Sequence, residues 1–334
     1  MDVDDAFDTY QGEVNADPGQ VAEARKRRDV FWAALEAEAD VAEIVPSGSL
    51  ARGSQRDPIH DVDLIVVYEP GSHPNWEAEG AGTAEEALDH TRGRVRALLG
   101  ATEGTKARIV RHTLLRNHVV KCFLDPPDDP KAFAVEVMPV FRTSDALRIP
   151  ERHDDRWTTA DPEYLIDAVA KRHASWVVDG RRFFVPMVRV VKAWKDHAEL
   201  DMKSLVAEVL ALHCIPHAEP GTVLRRPEAL ARFFTAAAAH VMGGVVDPAG
   251  WCGEIQPDLD RAAVRARLLE AADVAGRALE AQRRGEHAAA ICLWREVFGD
   301  AFPEPLGGCP GSGRKTAITA PAFIPRPVKD NPQG

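Results

Sequence analysis

Apolar residues follow two different rhythms along this chain, and the change comes near residue 150. Residues 20–38 place Val21, Ala24, Val30, Phe31, Ala34 and Leu35 three, four and seven positions apart, the stripe of an amphipathic helix. Residues 42–46 lead to a small-residue turn. Residues 62–68 are then apolar without interruption, which predicts a buried strand. Residues 70–83 are rich in Gly, Pro, Glu and Ala and read as a mobile insertion. Helical spacing returns over 84–99, and strands are expected at 108–111, 118–124 and 133–140, around a turn at 126–130. Helix, strand, helix and several strands, in that order, predict an α+β sheet domain over residues 1–150 rather than a doubly wound parallel sheet.

Beyond residue 150 the pattern is helical throughout. Helices are expected at 163–176, 185–196, 203–213, 227–240, 261–283 and 286–298, with Gly285 and Gly299 punctuating the last two. This defines a helical C-terminal domain over 151–302. From residue 303 the chain turns to Pro, Gly and small polar residues, and residues 303–334 read as a flexible tail.

Composition narrows the picture. In 334 residues, 45% hydrophobic content supports a large core, so wholesale disorder is excluded. The net charge of −11 argues against duplex DNA as a partner. The basic clusters at Arg25–Arg28, Arg181-Arg182, Arg225-Arg226 and Arg283-Arg284 read as solvated faces, so a small nucleotide is a better substrate than a polymer. No apolar run approaches the roughly 18–20 residues of a membrane span, and the acidic start lacks a basic leader, so a cytoplasmic protein without membrane attachment is expected. Cys122, Cys214, Cys252, Cys292 and Cys309 are scattered, with no Cys-x-x-Cys pair, which predicts reduced thiols rather than disulfides or a zinc ribbon.

The chemistry concentrates at the turn before the apolar strand. Gly48 and Ser49 form a small-residue turn opening a helix, whose free amides and hydroxyl suit a triphosphate. Asp61 and Asp63 follow at i and i+2 and therefore share one face of the strand. Side by side they repel unless a cation lies between them, and oxygen ligands favour Mg²⁺, with Mn²⁺ as substitute. Glu136, alone in the apolar stretch 133–141, is the candidate third carboxylate. Three carboxylates can hold two divalent ions about 3.5–4 Å apart, for in-line attack of a ribose hydroxyl on an α-phosphate with pyrophosphate leaving. Asp61, Asp63 and Glu136 are thus the candidate catalytic and metal-binding residues, Glu136 also assisting proton removal. In the helical half, Lys192 flanks an apolar helix face and Ser204 lies in the first turn of the next helix, and both are candidate phosphate contacts. His60 reads as a supporting or capping residue, and Trp251 and Cys252 as packing residues.

These residues together resemble the DNA polymerase β-like nucleotidyltransferase superfamily. More narrowly, they resemble the bacterial cGAS/DncV-like nucleotidyltransferases (CD-NTases, with the SMODS domain). The resemblance rests on Gly48 to Ser54, Asp61 to Val66, Val135 to Pro139, Trp157 to Pro162, Val191 to Trp194, Lys203-Ser204 and Trp294 to Pro303, and it spans about residues 20–303. It implies a polymerase β-like sheet domain with a helical C-terminal domain. It also implies metal-dependent synthesis of a cyclic di- or trinucleotide second messenger from NTPs, in anti-phage (CBASS) signalling through a downstream effector. Two positions depart from the family pattern: Glu136 stands where Asp is usual, and Leu205 where relatives often place an aromatic residue. The final residues, Asn331 to Gly334, are similar to tails that companion conjugating enzymes attach, so such an enzyme is a candidate partner. Two other readings stay open at this point. One is a nucleotidyltransferase acting on a tRNA, protein or small-molecule acceptor; the other is a catalytically idle nucleotide-binding regulator.

Overall fold

The computed structural model describes residues 1–76, 80–100, 109–144, 146–218 and 223–309. Arg108 and the C-terminal residues Asn331 to Gly334 lie outside the described residues. The described chain forms two compact units. One comprises residues 16–167 and 248–253; the other comprises 1–15, 168–247 and the residues from 254 onward. The first fifteen residues therefore group with the helical unit and not with the sheet.

In chain order the elements are α1 (Val3–Val14), α2 (Pro18–Glu36), β1 (Val41–Ser47), α3 (Gly48–Arg52), β2 (Asp61–Tyr68), α4 (Thr83–Leu99), β3 (His112–Leu115), β4 (Val120–Phe123), β5 (Ala134–Arg142), β6 (Leu147–Glu151) and β7 (Arg156–Ala160). There follow α5 (Pro162–Ser175), the short strands β8 (Val177–Val178) and β9 (Arg181–Arg182), α6 (Phe184–His197), α7 (Ser204–Cys214), α8 (Arg226–His240), α9 (Arg261–Arg283) and α10 (His287–Phe298).

The sheet unit is built on β2 and β5, which run parallel and are joined by a crossover through α4. β1 pairs antiparallel with β2, β4 and β3 extend the other side, and β6 and β7 continue from the far end of β5. Side chains alternate across the strands. Val62, Leu64, Val66 and Tyr68 of β2 and Val135 and Val137 of β5 point to one face, where Phe31 and Leu35 of α2 and Leu88 and Val95 of α4 cover them. Ile65, Val67, Met138 and Val140 point to the other face and pack with Leu147, Ile149 and Ala160. Because Asp61, Asp63 and Glu136 belong to this second set of positions, the carboxylates occupy the polar end of an otherwise apolar face.

The segment read as a mobile insertion is partly anchored. A 3-10 turn covers Pro70–Ser72, and Trp76 is buried in the core beneath the sheet. In the helical unit, Phe7 and Tyr10 of α1 pack on Trp294, Phe298 and Phe302, with Phe7 and Trp294 ring centroids 5.1 Å apart. A correction concerns the cysteines. Cys292 and Cys309 form a disulfide, because α10 and the turn after it bring two thiols 17 residues apart in sequence to adjacent positions. Cys122, Cys214 and Cys252 are free thiols. Among the described residues no helix is long and apolar enough to cross a membrane.

Candidate active site

The register of three strands assembles the site. Asp63 of β2 lies opposite Glu136 of β5 on one side and Ser47 of β1 on the other. Glu136 in turn lies opposite Lys121 of β4. Ser47, Asp63, Glu136 and Lys121 thus form a row across the sheet, with Asp61 two positions before Asp63 on the same face. Asp61 is exposed, while Asp63 and Glu136 are half-buried.

The turn between β1 and β2 closes over this row. Gly48 has φ +70°, and a Cβ built on it would fall 1.6 Å from Asp63 Oδ2. Only glycine fits, both for its backbone and for the space the carboxylate occupies. Ser49 follows within α3, which ends after one turn at Gly53, also with positive φ. The amide of Ser54 returns to Ser49 O at 2.9 Å, fixing the turn. The His60 carbonyl, just before β2, accepts from the Ala134 amide at 2.8 Å.

The electrostatics are those of a site short of positive charge. The Asp63 carboxyl is pushed well above its ordinary range, first by loss of hydration, then by the charges of Asp61 and Glu136; Arg52 and Lys121 oppose the shift. Lys121 Nζ donates to Glu136 Oε1 at 2.8 Å. The three carboxylates offer hard oxygen donors, the ligand type that suits Mg²⁺ or Mn²⁺, and a cation placed among them would relieve the repulsion that raises Asp63. Among the described residues, the group of three donors all within 4.8 Å of one another is a different one, Asp40, His73 and His90.

Arg52 and Lys121 are absent from the sequence-based candidates. Arg52 is buried and ends the α3 turn four residues after Gly48, a spacing that could have flagged it. Lys121 becomes visible only through the β4–β5 register, which no local pattern supplies.

The helical unit holds the other two candidates. Lys192 of α6 is buried and its Nζ donates to Glu208 Oε1 of α7 at 3.0 Å. Ser204 is the first residue of α7, and Leu205 beside it is buried. Cys252 packs as expected against the second face of the sheet, its Sγ 3.2 Å from Thr159 O, whereas Trp251 is 47% exposed.

The sheet unit thus carries its carboxylates on neighbouring parallel strands, with the Gly48-Ser49 turn against Asp63. No protein-family model and no curated protein sequence matches the chain. Solved structures do. Escherichia coli MS115-1 CdnC with ATP superposes with a TM-score of 0.67 at 16% identity, covering 91% of this chain and 99% of that one. Bradyrhizobium diazoefficiens CD-NTase CdnG in complex with GTP gives 0.63 at 14% identity, covering 88% and 94%. The STING-associated CdnE c-di-GMP synthase from Capnocytophaga granulosa gives 0.56 at 13% identity, covering 81% and 85%. The chain has the CD-NTase fold over nearly its whole described length.

Proposed function

We propose that this protein is a metal-dependent nucleotidyltransferase that joins NTPs into a cyclic di- or trinucleotide second messenger, releasing pyrophosphate. The observation that carries the reading is the contact of the Gly48 turn with Asp63, itself in register with Glu136, which puts the turn proposed for phosphate against the carboxylates proposed for the cation. The CD-NTase fold, with ATP- and GTP-bound structures among its neighbours, supports the same reading.

In this proposal Asp61, Asp63 and Glu136 hold Mg²⁺ or Mn²⁺, which when bound offsets phosphate charge and acidifies the attacking hydroxyl. Gly48 and Ser49 orient the β- and γ-phosphates through turn amides and the Ser49 hydroxyl. Glu136 takes the proton of the attacking ribose hydroxyl, with Lys121 balancing its charge. Arg52 supplies positive charge behind Asp63. Within the helical unit, Ser204 and Lys192 are the proposed phosphate-contacting residues, Lys192 Nζ being held by Glu208.

The chemistry is tested by pyrophosphate release from mixed NTPs in Mg²⁺ or Mn²⁺, comparing the parent with the Asp61→Asn/Asp63→Asn variant. Release that requires both the carboxylates and the cation is the expected result. Equal release from the variant removes the site.

A further inference from the structure

A second constellation lies at the opposite end of β2. Asp40, just before β1, accepts from two imidazoles through one oxygen: His73 Nε2 is 2.9 Å and His90 Nε2 3.1 Å from Oδ2. The three residues come from three elements, the β1 entry, the turn after Pro70–Ser72, and α4. Tyr68, at the end of β2, sets its ring edge-on to both imidazoles at 5.3 and 5.4 Å, and Trp76 stacks on His73 at 3.9 Å. Asp63 is five residues away along the strand, roughly 16–17 Å, so this cluster is separate from the carboxylate site.

Hydrogen bonding alone satisfies the cluster poorly. His90 Nε2 also faces Arg94 Nη2 at 3.4 Å. A guanidinium only donates, so this contact asks for a lone pair on Nε2, while Asp40 Oδ2 asks for a proton on the same atom. One ring nitrogen cannot supply both. A metal ion would instead gather the lone pairs of both imidazoles and of Oδ2 at one centre, with Arg94 held by its bonds to Asp40 and Glu38. The spacing suits it: ligands 2.0–2.1 Å from a tetrahedral ion lie about 3.3 Å apart.

The charge balance also suits a cation. Arg94 binds Asp40 through both carboxylate oxygens, at 2.8 Å from Oδ1 and 3.1 Å from Oδ2, and its Nη1 also bonds Glu38. Glu38 therefore neutralises Arg94, and the charge of Asp40 is left for the site. A ligating carboxylate that also accepts hydrogen bonds from a neighbouring side chain is a common outer-shell arrangement.

We infer that Asp40, His73 and His90 form a zinc-binding site that fastens the turn bearing His73 and Trp76 to α4 and the start of β1. Two imidazoles and one carboxylate select a borderline transition metal over Mg²⁺. The protein supplies three ligands and leaves a fourth position for water.

The test uses the full chain carrying Asp61→Asn and Asp63→Asn, so that the carboxylate site no longer competes, stripped with a chelator and titrated with Zn²⁺ by calorimetry. One ion per chain is expected, unaffected by excess Mg²⁺, with binding at least about 100-fold weaker after His73→Gln and His90→Gln. The melting temperature of the Asp61→Asn/Asp63→Asn chain should rise by about 4 °C at ~100-fold excess over Kd. Absence of stoichiometric Zn²⁺ in the Asp61→Asn/Asp63→Asn chain overturns the inference, as does unchanged affinity after the histidine substitutions. Should the histidine variant not fold, the Co²⁺-loaded Asp61→Asn/Asp63→Asn chain decides by NMR. Two hyperfine-shifted imidazole N–H signals are expected, and their absence refutes the site.

Discussion

Replacing Gly48 by alanine is the sharpest perturbation the site offers. The added Cβ would fall 1.6 Å from Asp63 Oδ2 and 2.5 Å from its carboxyl carbon, at a backbone φ of +70°. The conformation costs an L-residue about 1–2 kcal/mol. Relief of the overlap to even a 3.0 Å contact requires relative movement of about 1.4 Å between turn and carboxylate. Displacements of about 1 Å at a reacting centre cost on the order of 10²-fold in rate. Gly48→Ala should therefore remain folded, melting a few degrees lower, while product formation falls at least ~100-fold. Gly12→Ala is the control: it lies within α1 with nothing within 4 Å of its added Cβ, and it should leave activity unchanged. Initial rates at saturating NTP and circular dichroism melts of the three proteins decide the matter. Parental turnover in Gly48→Ala would refute the idea that this turn and Asp63 meet in the working site.

Other consequences can be measured independently. Asp63 has its carboxyl raised above the ordinary value near 3.8 in the folded, metal-free chain, so its contribution to stability is full below that value and is lost as pH rises through the raised one. In chelator, melts of the parent against Asp63→Asn should therefore diverge as pH rises from about 4, the parent losing stability relative to the variant; parallel curves would contradict the burial and repulsion described. Lys192 and Glu208 are a buried pair with side chains 8% and 1% exposed, so Lys192→Met should destabilise by about 3–5 kcal/mol, and Lys192→Met with Glu208→Leu should recover much of it in urea titrations. The Cys292–Cys309 disulfide closes a 17-residue separation, which the chain-entropy account values at about 3 kcal/mol. In oxidising buffer Cys309→Ser should be less stable by that amount, and the difference should vanish with dithiothreitol; identical unfolding curves in oxidising buffer would mean the bond does not form.

Those parts of the fold set by local periodicity were legible in the sequence. The helices from α5 to α10 fall within one or two residues of their expected positions, and β2 and β5 follow from apolar runs bounded by turns. α1 was missed because Asp2, Asp4 and Asp5 dominate its start, although Asp2 and Asp5 form an N-terminal capping box and Val3, Phe7, Tyr10 and Val14 line its buried side. β6 and β7 were missed for a related reason: Arg148, Glu151 and Arg156 interrupt segments whose strand character comes from pairing with β5 and with each other. Asp61, Asp63 and the Gly48 turn were readable because the spacing is local. Lys121 beside Glu136, and Asp40 beside His73 and His90, join residues 15 to 50 positions apart, and only the tertiary register creates those neighbours. The disulfide belongs with them, since nothing in the spacing of five scattered cysteines selects Cys292 and Cys309.

The central claim is cyclic nucleotide synthesis at the Asp61–Asp63–Glu136 row. The direct measurement is to incubate the purified chain with all four NTPs and Mg²⁺ or Mn²⁺, remove terminal phosphates with phosphatase, and identify what survives by mass spectrometry. A phosphatase-resistant cyclic di- or trinucleotide, absent from the Asp61→Asn/Asp63→Asn variant, is the predicted result. Linear products alone, or a cyclic product undiminished in the variant, would contradict it.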